Sequence, residues 1–135
     1  MIIHSEQEML DFGKQFACQV KFPMVIELIG DVGAGKTTFV RGLAEGLGIT
    51  EPVTSPSFTI SKQYALPDDK RLIHYDFYRL PDPGLMSEDL QENINNPNTI
   101  TIIEWAESVS NLLPNNHITI TITYNNDNTR NLEIL

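Results

Sequence analysis

Basic side chains are scarce in this sequence. Its 135 residues carry 9 Lys and Arg against 18 Asp and Glu, a formal net charge of −9. The few cations are scattered, which argues against a nucleic-acid backbone as the direct main ligand, since phosphate contacts need clustered Lys and Arg. Any role in RNA metabolism has to run through a partner. Cysteine is reduced to Cys18, so no intramolecular disulfide forms. That residue reads as a small buried side chain without a catalytic partner. No apolar run approaches the ~20 residues of a membrane span. The start, Met1-Ile2-Ile3-His4-Ser5-Glu6, has no basic stretch followed by an apolar one, so no signal peptide is expected. Contact with a membrane is not expected either, and the cytoplasm is the expected compartment. No His/Cys cluster has metal-ligand spacing, and His74 and His117 read as structural. The arginines are Arg41, Arg71, Arg79 and Arg130, too few for the Arg-rich lid of a small-molecule kinase. No Asn-Lys-x-Asp motif selects guanine, so ATP is preferred to GTP.

Hydrophobic residues make up 41% and charged residues 20%, the composition of a globular chain. The length fits a single domain over residues 1–135. Gly30-Asp31-Val32-Gly33-Ala34-Gly35-Lys36-Thr37 fits G-x-x-x-x-G-K-[ST], the phosphate-binding P-loop. The apolar run Met24 to Ile29 reads as a buried strand before it. The segment after it, starting at Thr38, spaces its apolar residues as a helix does, to about residue 47. This order has a physical reason. Glycines let backbone N–H groups turn toward an anion, and a helix N-terminus adds unsatisfied donors and the positive dipole end. Residues Asp31, Val32, Gly33, Ala34, Gly35, Lys36, Thr37 and Thr38 are therefore expected to hold the phosphates. Lys36 reaches the β- and γ-phosphates, and the Thr37 hydroxyl ligates Mg²⁺. Gly42 and Gly46 inside the helix each cost up to about 1 kcal/mol against Ala, which points to close packing.

Around the loop, Ser5-Glu6-Gln7-Glu8 matches a capping box, and Met9, Phe12, Phe16 and Val20 form the apolar stripe of a helix over about residues 6–18. The stretch from Thr50 to Ser57, with Ser55 and Pro56, is either an ordinary connection or a segment that senses the γ-phosphate. Phe58 to Tyr64 and Leu72 to Tyr78 read as a hairpin closed by Leu66-Pro67-Asp68-Asp69-Lys70. Asp76, near the end of an apolar strand, is placed to hold the Mg²⁺ water shell; the alternative is a solvent-facing Asp. Pro81-Asp82-Pro83-Gly84 breaks the chain, and a short acidic helix follows from Leu85 to Ile94. Ile100 to Ile103 is a strand that ends in Glu104-Trp105. A carboxylate at the carboxyl end of a strand is where an open α/β sheet places its site. Glu104 either orients or deprotonates water or touches the metal, or it is a helix cap or surface charge. Trp105 is either core or a reporter of nucleotide. Ala106 to Leu113 is a short helix, and His117 to Tyr124, Asn125 to Asn128 and Thr129 to Leu135 form a second hairpin.

Four blocks stand in order: Gly30 to Gly42, Ser55-Pro56-Ser57-Phe58-Thr59, His74-Tyr75-Asp76-Phe77-Tyr78-Arg79-Leu80, and Ile103-Glu104-Trp105. Together they closely resemble the TsaE (formerly YjeE) family of bacterial P-loop ATPases, over nearly the whole chain. The resemblance implies an α/β, P-loop NTPase-like three-layer sandwich whose mixed sheet carries antiparallel hairpins at its edges. It implies Mg²⁺-dependent ATP and ADP binding with slow hydrolysis. It also implies a role in forming N6-threonylcarbamoyladenosine at position 37 of tRNAs that read ANN codons. It further implies that the ATPase docks on the TsaB–TsaD complex, supports its cycling, and meets tRNA only indirectly. Catalytic roles fall on Lys36, Asp76 and Glu104 and metal contacts on Thr37, Asp76 and Glu104, with Trp105 close to the nucleotide. Two departures stand out. Ser57 replaces the family's usual Thr and lacks the methyl that stiffens χ1. Met9 takes the place of a Thr in the first helix, so no polar adenine contact is carried over there.

Overall fold

The structure, a computed structural model, describes residues 1–31, 33–54, 56, 60–78 and 84–135, with Leu85 by its backbone alone. Val32 of the phosphate loop, Ser55 and Ser57 of the hydroxyl stretch, Phe58 and Thr59 at the expected strand start, Arg79 and Leu80 of the third block, and Pro81, Asp82 and Pro83 of the chain break lie outside the described residues.

Seven strands form one mixed sheet in the order β1-β7-β6-β2-β5-β4-β3. They are β1 (Ile2–Ile3), β2 (Met24–Ile29), β3 (Ser61–Ala65), β4 (Arg71–Asp76), β5 (Thr99–Glu104), β6 (Ile118–Tyr124) and β7 (Arg130–Ile134). The helices are α1 (Glu6–Phe16), α2 (Lys36–Gly46) and α3 (Leu85–Ile94). The fold is α/β, and both hairpins expected from the sequence are antiparallel, β3 with β4 and β6 with β7. The two-residue β1 was not expected. It is too short to show a period, and pairing with β7 alone makes it a strand. By contacts the chain divides into two compact units, one of residues 1–20, 28–55 and 119–135, the other of residues 21–27 and 56–118.

In the first unit α1 and α2 lie against each other. Ser5 caps α1, its Oγ accepting the Glu8 N–H at 3.1 Å. The Glu8 carboxylate reaches past the cap to accept the His4 N–H at 2.8 Å, and this bond holds its pKa below the usual carboxylate value. Phe12, Phe16 and Phe39 meet with ring centroids 5.7–6.3 Å apart. The stripe ends sooner than periodicity indicates, because the chain tightens into a 3-10 turn at Ala17–Gln19 where no residue is buried. Cys18 sits on that turn and is exposed, a correction to its reading as a buried side chain.

Glycine sets the approach of the two helices. A Cβ on Gly13 would lie 2.6 Å from the Phe39 carbonyl oxygen, one on Gly46 would lie 2.6 Å from the Ala17 methyl, and one on Gly42 would strike the Leu10 carbonyl. The obstacle at Gly42 is backbone and cannot swing aside. Gly42→Ala is therefore expected to destabilise the protein by about 2 kcal/mol or more, because overpacking outweighs the gain of up to about 1 kcal/mol in helix propensity. Urea denaturation checks this, and an unchanged or raised midpoint would show that the helices yield freely.

In the second unit the pleat of β4 and β5 sorts side chains onto two faces. Ile73, Tyr75, Phe77 and Ile103 join Val25, Leu90 and Val109 in an apolar cluster. On this face the Tyr75 hydroxyl donates to Asp89 at 2.6 Å and accepts from Asn93, while Arg71 donates to Asn93 at 2.8 Å and to Thr99 at 3.2 Å. Burial, with the Asp89 carboxylate accepting its proton, pushes the Tyr75 phenol well above its usual range. The network ties α3 to β4 through satisfied polar groups. Leu72, His74 and Asp76 of β4, with Ile100, Ile102 and Glu104 of β5, point to the other face.

Candidate functional site

The phosphate loop leaves β2 at Gly30 and turns at once, the Ala34 N–H closing onto the Asp31 carbonyl at 3.0 Å. Gly33 and Gly35 hold φ of 84° and 109°, left-handed backbone open to glycine. Gly35 is the N-cap of α2. No side chain caps that end and no acidic residue stands in its first turn. The first N–H groups and the dipole thus keep their capacity for an anion. Lys36 is 7% exposed. Its ammonium donates to the Gly30 carbonyl, which holds the charge at the neck of the loop. Thr37 and Thr38 follow, half-buried, on the first turn of α2.

Beside the loop opens a cavity of about 460 Å³, within the usual range for small-molecule sites. Ile3, Met9, Gly35, Thr38, Tyr124 and Arg130 line it, with Ser5 and Glu6 at its polar side. Met9 supplies an apolar wall from the first helix. Arg130 was, with Arg79, a candidate cis arginine that the sequence could not place. It lies opposite Tyr124 in the β6–β7 register, and pairing the strands across Asn125 to Asn128 was the signal available. Its guanidinium lies 4.3 Å from the Tyr124 ring centroid and donates to the Ala34 carbonyl at 3.2 Å.

The second unit holds the carboxylates. Asp76 and Glu104 are Cα partners at the carboxyl ends of parallel β4 and β5. Asp76 is 8% exposed and Glu104 4%, so neither is the solvent-facing charge that was the alternative reading. The Oδ1 of Asp76 accepts the Tyr78 N–H at 2.9 Å, which fixes the carboxylate. Glu104 is not a helix cap. Trp105 takes that position, at φ 57° and ψ 54°, before the 3-10 helix Ala106–Leu112. Left-handed backbone is costly for a bulky residue, about 1–3 kcal/mol, and is tolerated where a site demands it. The Trp105 ring packs at 4.7 Å against that of Tyr78. His74, expected to be structural, is fully buried, and its Nε2 lies 2.6 Å from Glu104 Oε2. The carboxylate is thereby held in one rotamer. Position parity with Asp76 was the signal for His74, since two residues apart on a strand means the same face.

These groups suit a nucleotide and a hard cation. The left-handed cradle, the uncapped helix end and the buried ammonium match a polyphosphate. Among the described residues no group of three or more His, Cys, Asp or Glu gathers into a metal cage. A few oxygen donors suit Mg²⁺, which takes one or two carboxylates and completes its shell with phosphates and water. Thr37 belongs to the first unit, Asp76 and Glu104 to the second.

Comparison with known proteins identifies the family. The family described as threonylcarbamoyl adenosine biosynthesis protein TsaE matches residues 3–132. The tRNA threonylcarbamoyladenosine biosynthesis protein TsaE of Haemophilus influenzae is 36% identical over 138 residues, covering 98% of this chain and 86% of its own. The protein of that name from Bacillus subtilis is 43% identical over 112 residues, covering 80% of this chain and 66% of its own. The crystal structure of Bacillus subtilis YdiB superimposes with a TM-score of 0.78 at 34% identity, covering 98% of this chain and 80% of that one. A phosphate loop between a strand and a glycine-packed helix, two buried carboxylates ending parallel strands, and a match across nearly the full length agree: the chain belongs to the TsaE family.

Proposed function

We propose that this protein binds ATP with Mg²⁺ and hydrolyses it slowly alone and faster when docked on the TsaB–TsaD complex. In that way it supports threonylcarbamoyladenosine formation on tRNA in the cytoplasm. The observation that carries the nucleotide reading is the buried Lys36 ammonium at the neck of a loop whose Gly33 and Gly35 are left-handed. Membership of the TsaE family supports the pathway, and the partner is part of this proposal. The net charge of −9 supports an indirect relation to tRNA, with a more basic partner holding the nucleic acid. Among the described residues no helix is long and apolar enough to cross a membrane.

In this reading residues Asp31 to Thr38 cradle the phosphates and Lys36 neutralises charge on the β- and γ-groups. The base takes the cavity beside Met9 and Tyr124. Bound Mg²⁺ supplies charge neutralisation at the phosphates. Thr37 and Asp76 are its ligands, directly or through water, and Glu104 orients or deprotonates the attacking water, its carboxylate held by His74. The deciding experiment measures ATP turnover with and without purified TsaB–TsaD. Stimulation by the complex supports the reading. Equal turnover alone, or phosphorylation of a small molecule unaided, moves a phosphotransferase ahead.

Thr37→Ala and Asp76→Ala are expected to weaken Mg²⁺-dependent ATP binding about tenfold, with metal-free binding changed less, because both act through the ion. Calorimetry with and without EDTA checks this, and equal losses in both would make these residues structural. Trp105 is the only tryptophan in the chain, so its emission is unmixed. Saturating ADP is expected to change that emission. A constant spectrum, with binding confirmed by calorimetry, would leave Trp105 as a packing residue against Tyr78.

A further inference from the structure

The phosphate loop contains two residues that do little to restrain it. Gly33 and Gly35 both sit in left-handed backbone, and glycine crosses between left- and right-handed regions at little cost. The peptide planes between them are therefore easily turned. Something outside the loop has to hold them if the N–H groups are to face an anion before it arrives.

We infer that Arg130 is a positioning residue for this loop, clamping its outward carbonyls from β7. The guanidinium Nε donates to the Ala34 carbonyl at 3.2 Å and an Nη to the Gly33 carbonyl at 3.4 Å. A second Nη donates to the Asn128 carbonyl at 3.0 Å, and the Tyr124 ring lies 4.3 Å beneath the charge. The Tyr124 hydroxyl in turn donates to Asn128 Oδ1 at 2.6 Å, so the hairpin that carries Arg130 is itself braced. In a trans peptide the C=O and the following N–H point in opposite directions. Holding the Gly33 carbonyl directs the Ala34 N–H, which closes the turn onto Asp31 at 3.0 Å. Holding the Ala34 carbonyl directs the Gly35 N–H away from Arg130, at the entrance to α2. Two consecutive planes are thus set by one side chain, 96 and 97 residues distant in sequence. Arg suits the task, since its planar fork donates in several directions at once and stacks on an aromatic face. It also brings a cation to a loop in a strongly acidic protein, where an approaching polyphosphate otherwise meets repulsion.

The inference rests on the nucleotide reading for its ligand, but the clamp itself exists without one. The test compares wild type, Arg130→Met and Arg130→Lys in two ways. Amide hydrogen exchange on the ligand-free protein follows Ala34. Calorimetry follows ADP and inorganic pyrophosphate, the latter a probe of the loop without the cavity. Arg130→Met is expected to speed exchange at Ala34 and to weaken ADP and pyrophosphate by about tenfold each, the order of the cost of ordering a loop that is no longer held before the ligand arrives. Arg130→Lys, with one flexible donor group, restores part of both. Unchanged exchange overturns the clamp, and so does a loss confined to ADP, which would make Arg130 a contact of the base. If Arg130→Met fails to fold, Tyr124→Leu removes the platform and keeps the charge, with the same direction of change expected in Ala34 exchange and in pyrophosphate binding, and no change in either overturning the inference. Wild type that binds neither ligand would sink the nucleotide reading, while the exchange comparison still decides the clamp.

Discussion

Lys36→Ala is expected to lower ATP and ADP affinity by at least about a hundredfold, equivalent to about 3 kcal/mol. Lys36 is the first residue of α2 and is 7% exposed, so its charge is shielded from bulk water. Charge-assisted bonds to phosphate are among the stronger polar contacts, and burial strengthens them. Its ammonium already donates to the Gly30 carbonyl, so it is positioned before any ligand binds and little entropy is lost when one does. Alanine keeps the helix start while removing this donor. Calorimetry with ADP, beside circular dichroism to confirm folding, checks the outcome. Unchanged affinity in a folded variant would move the site elsewhere.

Glu104→Gln is expected to cut complex-stimulated ATP turnover by about 10²–10⁴-fold, the usual range for losing a general base, while ATP affinity stays within about threefold. A group that acts on the attacking water works mainly in the transition state, so its loss lowers kcat rather than binding. Gln is the informative substitution. It keeps the volume at the end of β5 and still offers an oxygen to His74 Nε2, which stands 2.6 Å from the carboxylate. Glu104→Ala removes the partner of a fully buried histidine as well, so stability and catalysis change together. Turnover is measured with and without TsaB–TsaD, and affinity by calorimetry. Full turnover in Glu104→Gln would reduce the residue to a structural partner of His74.

Local chemistry made much of this protein legible. The G-x-x-x-x-G-K-T run needs only its own glycines and the helix after it to form a cradle, so residues 30–37 announce it. Amphipathic spacing marked α1 and α2, alternation marked β6, and the turn residues marked both hairpins. Gly42 and Gly46 were conspicuous because a helix interior has no local use for glycine, and their reason proved to be the close approach of the Leu10 backbone to one and of Ala17 and Lys14 to the other. The short α3 was also in place from its pattern.

What remained hidden depended on groups distant in sequence. Cys18 has the chemistry of a buried residue, but the helix tightens at Ala17 and turns it outward. Whether Asp76 and Glu104 face water or the interior depends on β5 pairing with β4 in parallel, and no pattern within either strand fixes that register. The pairing of His74 with Glu104 follows from the same register, across 30 residues. Arg130 is an ordinary charged strand residue until the hairpin sets it opposite Tyr124 and against the loop. Sequence by itself determined the phosphate loop and all three helices and most strands, because short-range sterics and burial periodicity act within a few residues; β1 became a strand only by pairing with β7. Tertiary structure alone decided which carboxylates are buried and what restrains the glycines of the loop, because those depend on contacts that form when distant segments meet.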